Sequence, residues 1–335
     1  MVRRWCSVVV GALLAVGALA GPVGAAPRPT FVALGDSYSS GAGLAPFDAG
    51  SGSCARSPRA YPSLVARSLA RDQFVFVACS GATIDQIIGQ LSTARAALHR
   101  AALVTLTAGG NDLSFTNLLV SCLGGVTSLA SPVVHYESYA SGPAACAAAI
   151  DQAARELGAR VSGRGAVVAR PADLTARGVV SSPIEAGLTR LLHAITSLTA
   201  HSSTSTTRVL VVQYPLLLAE ASARVCRVGA TPLTLSSASA IYPVFLGAAA
   251  RQLRAINQLL RRETATVVAR VRDSRVALVT APTFAPLDCR LGTSSDLNGL
   301  SVASLSSGGS FHPTAAGQSV LARAVLARAV RVPRR

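Results

Sequence analysis

The sequence predicts an α/β fold built on a parallel sheet. Five short apolar, β-branched runs, at 30–34, 74–78, 103–107, 208–213 and 276–280, read as strands. They are continuous rather than alternating, the pattern of strands covered on both faces. Helical periodicity separates them, and strands alternating with helices imply right-handed crossovers and a parallel sheet. At 335 residues, 50% of them hydrophobic, the chain can bury a large core, and no linker divides it. A single domain over 26–335 is therefore expected.

From the start, Arg3 and Arg4 precede an apolar run from Val8 to about Ala20, followed by small residues through Ala26. That is the order of a secretory signal peptide over 1–25, cleaved after Ala25 or Ala26, with an uncleaved anchor as the rival reading. No later stretch is long and charge-free enough to span a bilayer. The first strand, 30–34, runs into Gly35-Asp36-Ser37, where the glycine lets the chain bend sharply. A helix over 61–70 places Leu64, Val65 and Leu69 on one face. The strand at 74–78 leads into Cys79-Ser80-Gly81-Ala82-Thr83, and the one at 103–107 leads into Ala108-Gly109-Gly110-Asn111-Asp112. The stretch from Leu113 to about Thr206 reads as helices plus a loop stapled by Cys122 and Cys146. After the strand at 208–213, the 241–271 stretch carries Leu246, Leu253, Ile256 and Leu260 at helical spacing. The last helix starts at Pro313, since proline suits the first helical position, and runs to about Val330.

Reactive groups of parallel α/β sheets gather beyond the carboxyl ends of the strands. Ser37, Gly81 and Asn111 each fall just past a strand end, and His312 falls in the loop before the last helix. A serine hydroxyl needs a base before it becomes a nucleophile, and imidazole titrates near working pH. His312 is the candidate base; His99, His135, His193 and His201 lie on predicted helices or in the long insertion and read as surface or packing residues. The α/β-hydrolase elbow needs glycine two places after its serine, and Ser39 stands there instead, which disfavours that family. Asp36 and Asp112 read as acceptors that stabilise turns rather than as catalytic acids.

Gly35-Asp36-Ser37, the Gly81 and Asn111 segments, and Phe311-His312-Pro313 resemble, in order and separation, the four sequence blocks of the SGNH (GDSL-type) hydrolase family. The six-cysteine layout most resembles the family's secreted actinobacterial esterases and lipases. The resemblance implies a three-layer α/β/α sandwich on a flavodoxin-like five-stranded parallel sheet. It implies an acyl-serine intermediate on Ser37, His312 as base, and an oxyanion hole made by the Ser37 and Gly81 amides and the Asn111 side chain. In one respect the chain departs from the pattern. The family's Asp, three places before the histidine, is here Gly309. A Ser-His dyad supported by the main-chain carbonyl of Gly309 or Ser310 is expected, with Asp296 or Asp288 in reserve to complete a triad.

Six cysteines remain after the signal, an even number that argues for disulfides in an exported chain. Cys54–Cys79, Cys122–Cys146 and Cys226–Cys289 are favoured because neighbouring cysteines close the shorter loops. A zinc site is disfavoured, because no Cys-x-x-Cys pair occurs, and neither metal nor cofactor is expected. The net charge of +16 comes from arginine on its positive side and suits a lipid or anionic surface. Aromatic residues at 4% supply no stacking platform for single strands, so nucleic acid is not an expected partner. Leu44, Phe47, Leu113 and Phe115 are the candidates to line an apolar groove. A secreted, monomeric ester hydrolase acting on acylglycerols, phospholipids or acetylated polysaccharides is the expectation. The alternatives are a non-catalytic lipid- or carbohydrate-binding protein and an acyltransferase using the same acyl-serine.

Overall fold

The computed structural model describes residues 30–70, 73–126, 134–135, 143–163, 165–169, 181–200, 207–218, 225–227, 233–236, 239–284, 296–299 and 309–329. The signal-peptide expectation and the Asp288 and Cys289 positions lie outside them. Five strands form the central sheet: β1 (Thr30–Ala33), β2 (Phe74–Phe76), β3 (Ala101–Leu106), β4 (Arg208–Val212) and β5 (Val276–Val279). Each pairing is parallel, and the order is β2-β1-β3-β4-β5. That is the flavodoxin-like doubly wound order, in which the strand order reverses between β1 and β3 and leaves a crevice at their carboxyl ends.

The eight α-helices among the described residues are α1 (Ser37–Ser40), α2 (Tyr61–Ser68), α3 (Ile84–Leu98), α4 (Phe115–Ser121), α5 (Pro143–Glu156), α6 (Pro183–Thr199), α7 (Gly247–Val271) and α8 (Ala315–Ala329). Helix α2 packs with α8, whereas α3 packs with α6 and α6 with α7. Crossovers of one hand put these two groups on opposite faces of the sheet, giving three layers. Local chemistry sets the helix starts. Thr83 and Gln86 form a reciprocal capping box on α3, and the Ser182 hydroxyl accepts from the Glu185 amide at the head of α6. Between the layers, Phe31, Val32, Ala33, Val104, Leu106, Val209 and Leu210 are wholly buried, as continuous apolar strands require.

Two features differ from the sequence expectation. The 241–271 stretch is not one helix: Ser239–Leu246 is a strand, antiparallel to Leu123–Val126, and α7 begins only at Gly247. Ile241, Tyr242, Val244 and Phe245 favour extended chain, and Pro243 lacks the amide a helix interior needs. The long insertion likewise holds strands as well as helices, Leu123–Val126 among them. It is stapled by a Cys122–Cys146 disulfide, and a second disulfide joins Cys54 to Cys79. The expected Cys226–Cys289 pair is untested, because Cys289 lies outside the described residues.

Candidate active site

Ser37 is the first residue of α1, directly past β1, and is 7% exposed. Asp36 caps the helix by accepting the Tyr38 amide at 3.0 Å. Before it, Gly35 has φ +120°, and a Cβ there would stand 2.7 Å from the Thr107 carbonyl oxygen, so no other residue fits. The Gln90 side chain of α3 grips Gly35 from both sides, accepting from its amide at 2.9 Å and donating to its carbonyl at 2.8 Å. Sharp bend and capped helix together hold the serine at the sheet edge.

Asn111 follows β3 at the other side of the crevice. Its Nδ2 donates to the Ala82 carbonyl at 3.0 Å, leaving one of the two amide hydrogens for a ligand. Asp112 accepts the Ile84 amide on both carboxylate oxygens, at 3.2 and 3.1 Å, which ties the Asn111 segment to the head of α3. Burial pushes the Asp112 carboxyl upward, and the bond from Ile84 opposes it. Gly81 occupies the intervening turn at φ +82° with open space beside it. The Cys79 amide donates to Gly35 O at 2.9 Å, so this turn is anchored to the serine loop.

His312 Nδ1 lies 2.9 Å from the Ser310 carbonyl oxygen. A carbonyl only accepts, so Nδ1 carries the proton and Nε2 keeps its lone pair. Burial pushes the imidazole pKa down to about 4, and the bond to Ser310 only partly offsets that. Phe311 holds this loop in a left-handed conformation, φ 64°, which an L-residue adopts only under constraint. The constraint comes from two sides: the Tyr38 hydroxyl donates to Phe311 O at 2.7 Å, and the Phe311 amide donates to Asn298 O at 2.9 Å. The Asn298 amide and side chain donate in turn to His312 O, at 2.8 and 3.1 Å. Asp296, a reserve acid, touches the loop through its main chain, its carbonyl accepting the Thr314 amide at 2.9 Å.

One partly enclosed cavity is lined by Ser37, Asn111, Ser310 and His312 together. Gly81 and Asp296 are not in its wall. The expected apolar lining is only partly right. Phe115 is in the wall, joined by Leu119, Leu217 and Leu260, whereas Leu44, Phe47 and Leu113 are not. Leu113 packs into the core, and the Ser57 hydroxyl holds the Leu44 main chain at 2.6 Å. Of the other histidines, His99 caps the end of α3 and His193 is exposed on α6; His135 lies in a short strand of a separate sheet, and His201 is outside the described residues.

Beneath the cavity runs a buried polar network that the motifs did not reveal. Asp36 is 1% exposed and accepts from Thr107 Oγ1 at 2.6 Å and from the Tyr214 hydroxyl. The Tyr214 hydroxyl oxygen in turn accepts the Gly110 amide at 3.0 Å. Burial raises the Asp36 carboxyl, while the bonds from Thr107, Tyr214 and the Tyr38 amide oppose that. One phenol thus links the serine loop to the Asn111 loop.

The blocks that build this cavity lie within residues 33–320, which match the sequence profile of the GDSL-like Lipase/Acylhydrolase family. The chain belongs to that family. Within the GDSL-like family it is similar to a lipase of Streptomyces rimosus, 46% identical over 93 residues, or 28% of this chain and 34% of that one. It is also similar to Lipase 1 of Streptomyces coelicolor, 39% identical over 131 residues, or 38% of this chain and 48% of that one. The matches thus span between a third and half of these curated relatives. Among solved structures, the extracellular lipase of Streptomyces rimosus superposes with a TM-score of 0.59 at 25% identity, covering 90% of this chain and 100% of that one. Phospholipase A1 of Streptomyces albidoflavus superposes at 0.57 and 24% identity, covering 90% of this chain and 100% of that one, a likeness of fold. The GDSL-like fold therefore accounts for the sheet order and the crevice. No helix among the described residues is long and apolar enough to cross a membrane, and no described cluster of His, Cys, Asp or Glu suits a metal ion.

Proposed function

We propose that the chain is a secreted carboxylic ester hydrolase working through an acyl-serine on Ser37, with His312 as general base. The observation that carries this reading is the convergence of Ser37, Asn111 and His312 on one cavity, with the His312 tautomer set by Ser310 O. The neutral Nε2 takes the Ser37 proton as the hydroxyl attacks the ester carbonyl. The tetrahedral oxyanion meets the Ser37 amide, the free Asn111 hydrogen and, from the neighbouring turn, the Gly81 amide. The imidazolium then protonates the leaving alcohol, and water, activated by the same Nε2, hydrolyses the acyl-serine. Through this cycle the Nδ1–H bond to Ser310 supports the positive ring.

The family and the Streptomyces lipases support ester chemistry. Disulfides at Cys54–Cys79 and Cys122–Cys146 support an oxidising compartment, in keeping with a signal peptide over 1–25. The apolar wall and the net charge of +16 support acyl esters presented at a lipid or anionic surface. A fluorophosphonate probe tests the core of the reading. Ser37 is expected to be labelled in the folded protein, and Ser37→Ala is expected to lose both labelling and turnover of chromogenic esters. Absence of labelling on the folded wild type removes the enzyme reading in favour of a binding protein.

A further inference from the structure

Asn257 stands out in the cavity wall. It lies on α7, is 3% exposed, and lines the same cavity as Ser37, Asn111 and His312 among the apolar Phe115, Leu119, Leu217 and Leu260. Its Oδ1 accepts the Leu217 amide at 3.0 Å, which fixes the orientation of the side-chain amide, because an amide nitrogen accepts nothing. Its Nδ2 therefore presents two donors toward the cavity, and it has no hydrogen-bond partner among the described residues. That nitrogen is not sealed from the cavity, so water satisfies it until a ligand displaces the water, and a ligand with no acceptor there leaves the donor unpaired. Leu260, one turn along the same face, packs over Gly109, where an added Cβ would stand 3.1 Å from its Cδ1. Three residues of helix rise about 4.5 Å, so Asn257 sits roughly one turn from the residue covering the Gly109–Asn111 loop. Ser37 and Asn257 thus face one cavity, and a substrate whose carbonyl carbon meets Ser37 extends along the wall that carries Asn257.

We infer that Asn257 is a specificity-determining donor that reads a second oxygen of the ester substrate, flanking the scissile carbonyl. The preferred substrates then carry an ester, ether or hydroxyl oxygen at that place rather than plain hydrocarbon. A site built to donate to a substrate oxygen discriminates strongly against the analogue lacking it, because its own donor is then left unpaired. This inference rests on the ester-hydrolase reading.

The test uses pairs of p-nitrophenyl esters of equal chain length, one alkanoyl and one with a CH2 replaced by oxygen, the replacement stepped along the chain. The quantity read is the ratio of kcat/KM within each pair, in the wild type and in Asn257→Asp and Asn257→Leu. Intrinsic reactivity cancels when ratios are compared between proteins. Asn257→Asp keeps an acceptor for the Leu217 amide while deleting the donors, so a purely structural role leaves its ratio unmoved. At one position the wild-type ratio is expected to exceed that of both variants by about tenfold, the worth of one hydrogen bond. Ratios within about twofold at every position refute the inference while leaving ester hydrolysis intact. Should the variants fail to fold, the wild-type ratios set against hydroxide-catalysed hydrolysis of the same pairs decide it by the same margin. If the wild type turns over no ester and Ser37 takes no fluorophosphonate, the hydrolase reading falls and this inference falls with it.

Discussion

Replacing Tyr214 by Phe removes one oxygen and nothing else, yet that oxygen holds two bonds. It donates to the buried Asp36 carboxylate and accepts the Gly110 amide at 3.0 Å. A hydrogen bond to a charged group is worth about 1.5–3 kcal/mol, and a neutral one about 1 kcal/mol. Their joint loss in a site where Asp36 is 1% exposed therefore destabilises the fold by roughly 2.5–4 kcal/mol. Total stability is about 5–15 kcal/mol, so the variant is expected to fold. With a urea slope of about 3 kcal/mol/M, the unfolding midpoint should fall by about 1 M. Catalysis should suffer separately, because Gly110 precedes Asn111 and loses its tether to the serine loop. Misplacement by about 1 Å costs around a hundredfold, and the loss is expected in kcat with KM little changed. Chemical denaturation followed by circular dichroism reads the first number, and steady-state hydrolysis of a chromogenic ester reads the second. A midpoint shift below about 0.2 M with kcat within twofold of wild type would refute the bridging role of the hydroxyl.

Asn111→Ala should lower kcat by two to three orders of magnitude, since an oxyanion donor is worth about 3–4 kcal/mol, with the melting temperature far less affected; a loss under tenfold removes the side chain from the oxyanion hole. The pH profile of kcat/KM on an uncharged ester should keep its plateau well below pH 6. Protonation of His312 abolishes the base, and its pKa is pushed down to about 4, so activity is lost only as pH falls through that value. An acid limb near the ordinary histidine value would contradict the buried, neutral imidazole. Asp296→Asn and Asp288→Asn should each retain most activity in the same assay, and a fall of several orders of magnitude in either would replace the dyad by a triad.

The central sheet was legible because burial on both faces writes itself as uninterrupted Val, Leu and Ala, and the five runs match the five strands to within a few residues. Ser37, Asn111 and His312 were legible for a different reason: each sits at a loop that the topology sends to the same edge. Tyr214 obeys the same rule, two residues past β4, and went unread because a lone tyrosine between glutamine and proline carries no spacing signal. Asn257 left a fainter trace, a polar residue between Ile256 and Leu260 on a stripe otherwise apolar. Asn298 left none, since its role rests on main-chain groups of a distant loop. The Ser239–Leu246 strand was misread because a short apolar run fits either period, and only its antiparallel partner selects the extended form.

The position where the acid was missing is the place where sequence and structure explain one another. Gly43 sits so close to Gly309 that a Cβ on it would stand 2.5 Å from the Gly309 Cα. Main chain therefore crowds the residue from which an aspartate would reach the imidazole. The left-handed Phe311, pinned by Tyr38 and Asn298, leaves the Ser310 carbonyl facing Nδ1 instead. A carbonyl dipole fixes the tautomer as well as a carboxylate does, but it stabilises the imidazolium less. The depressed His312 pKa is the direct consequence: burial opposes the charged ring, and a neutral acceptor offsets only part of that cost. In the proposed dyad, most of the transition-state stabilisation must then come from the oxyanion donors. For that reason the Asp36–Tyr214–Gly110 network, which holds the two donor-bearing loops together, should matter more here than in a triad, and Tyr214→Phe is the substitution that weighs it.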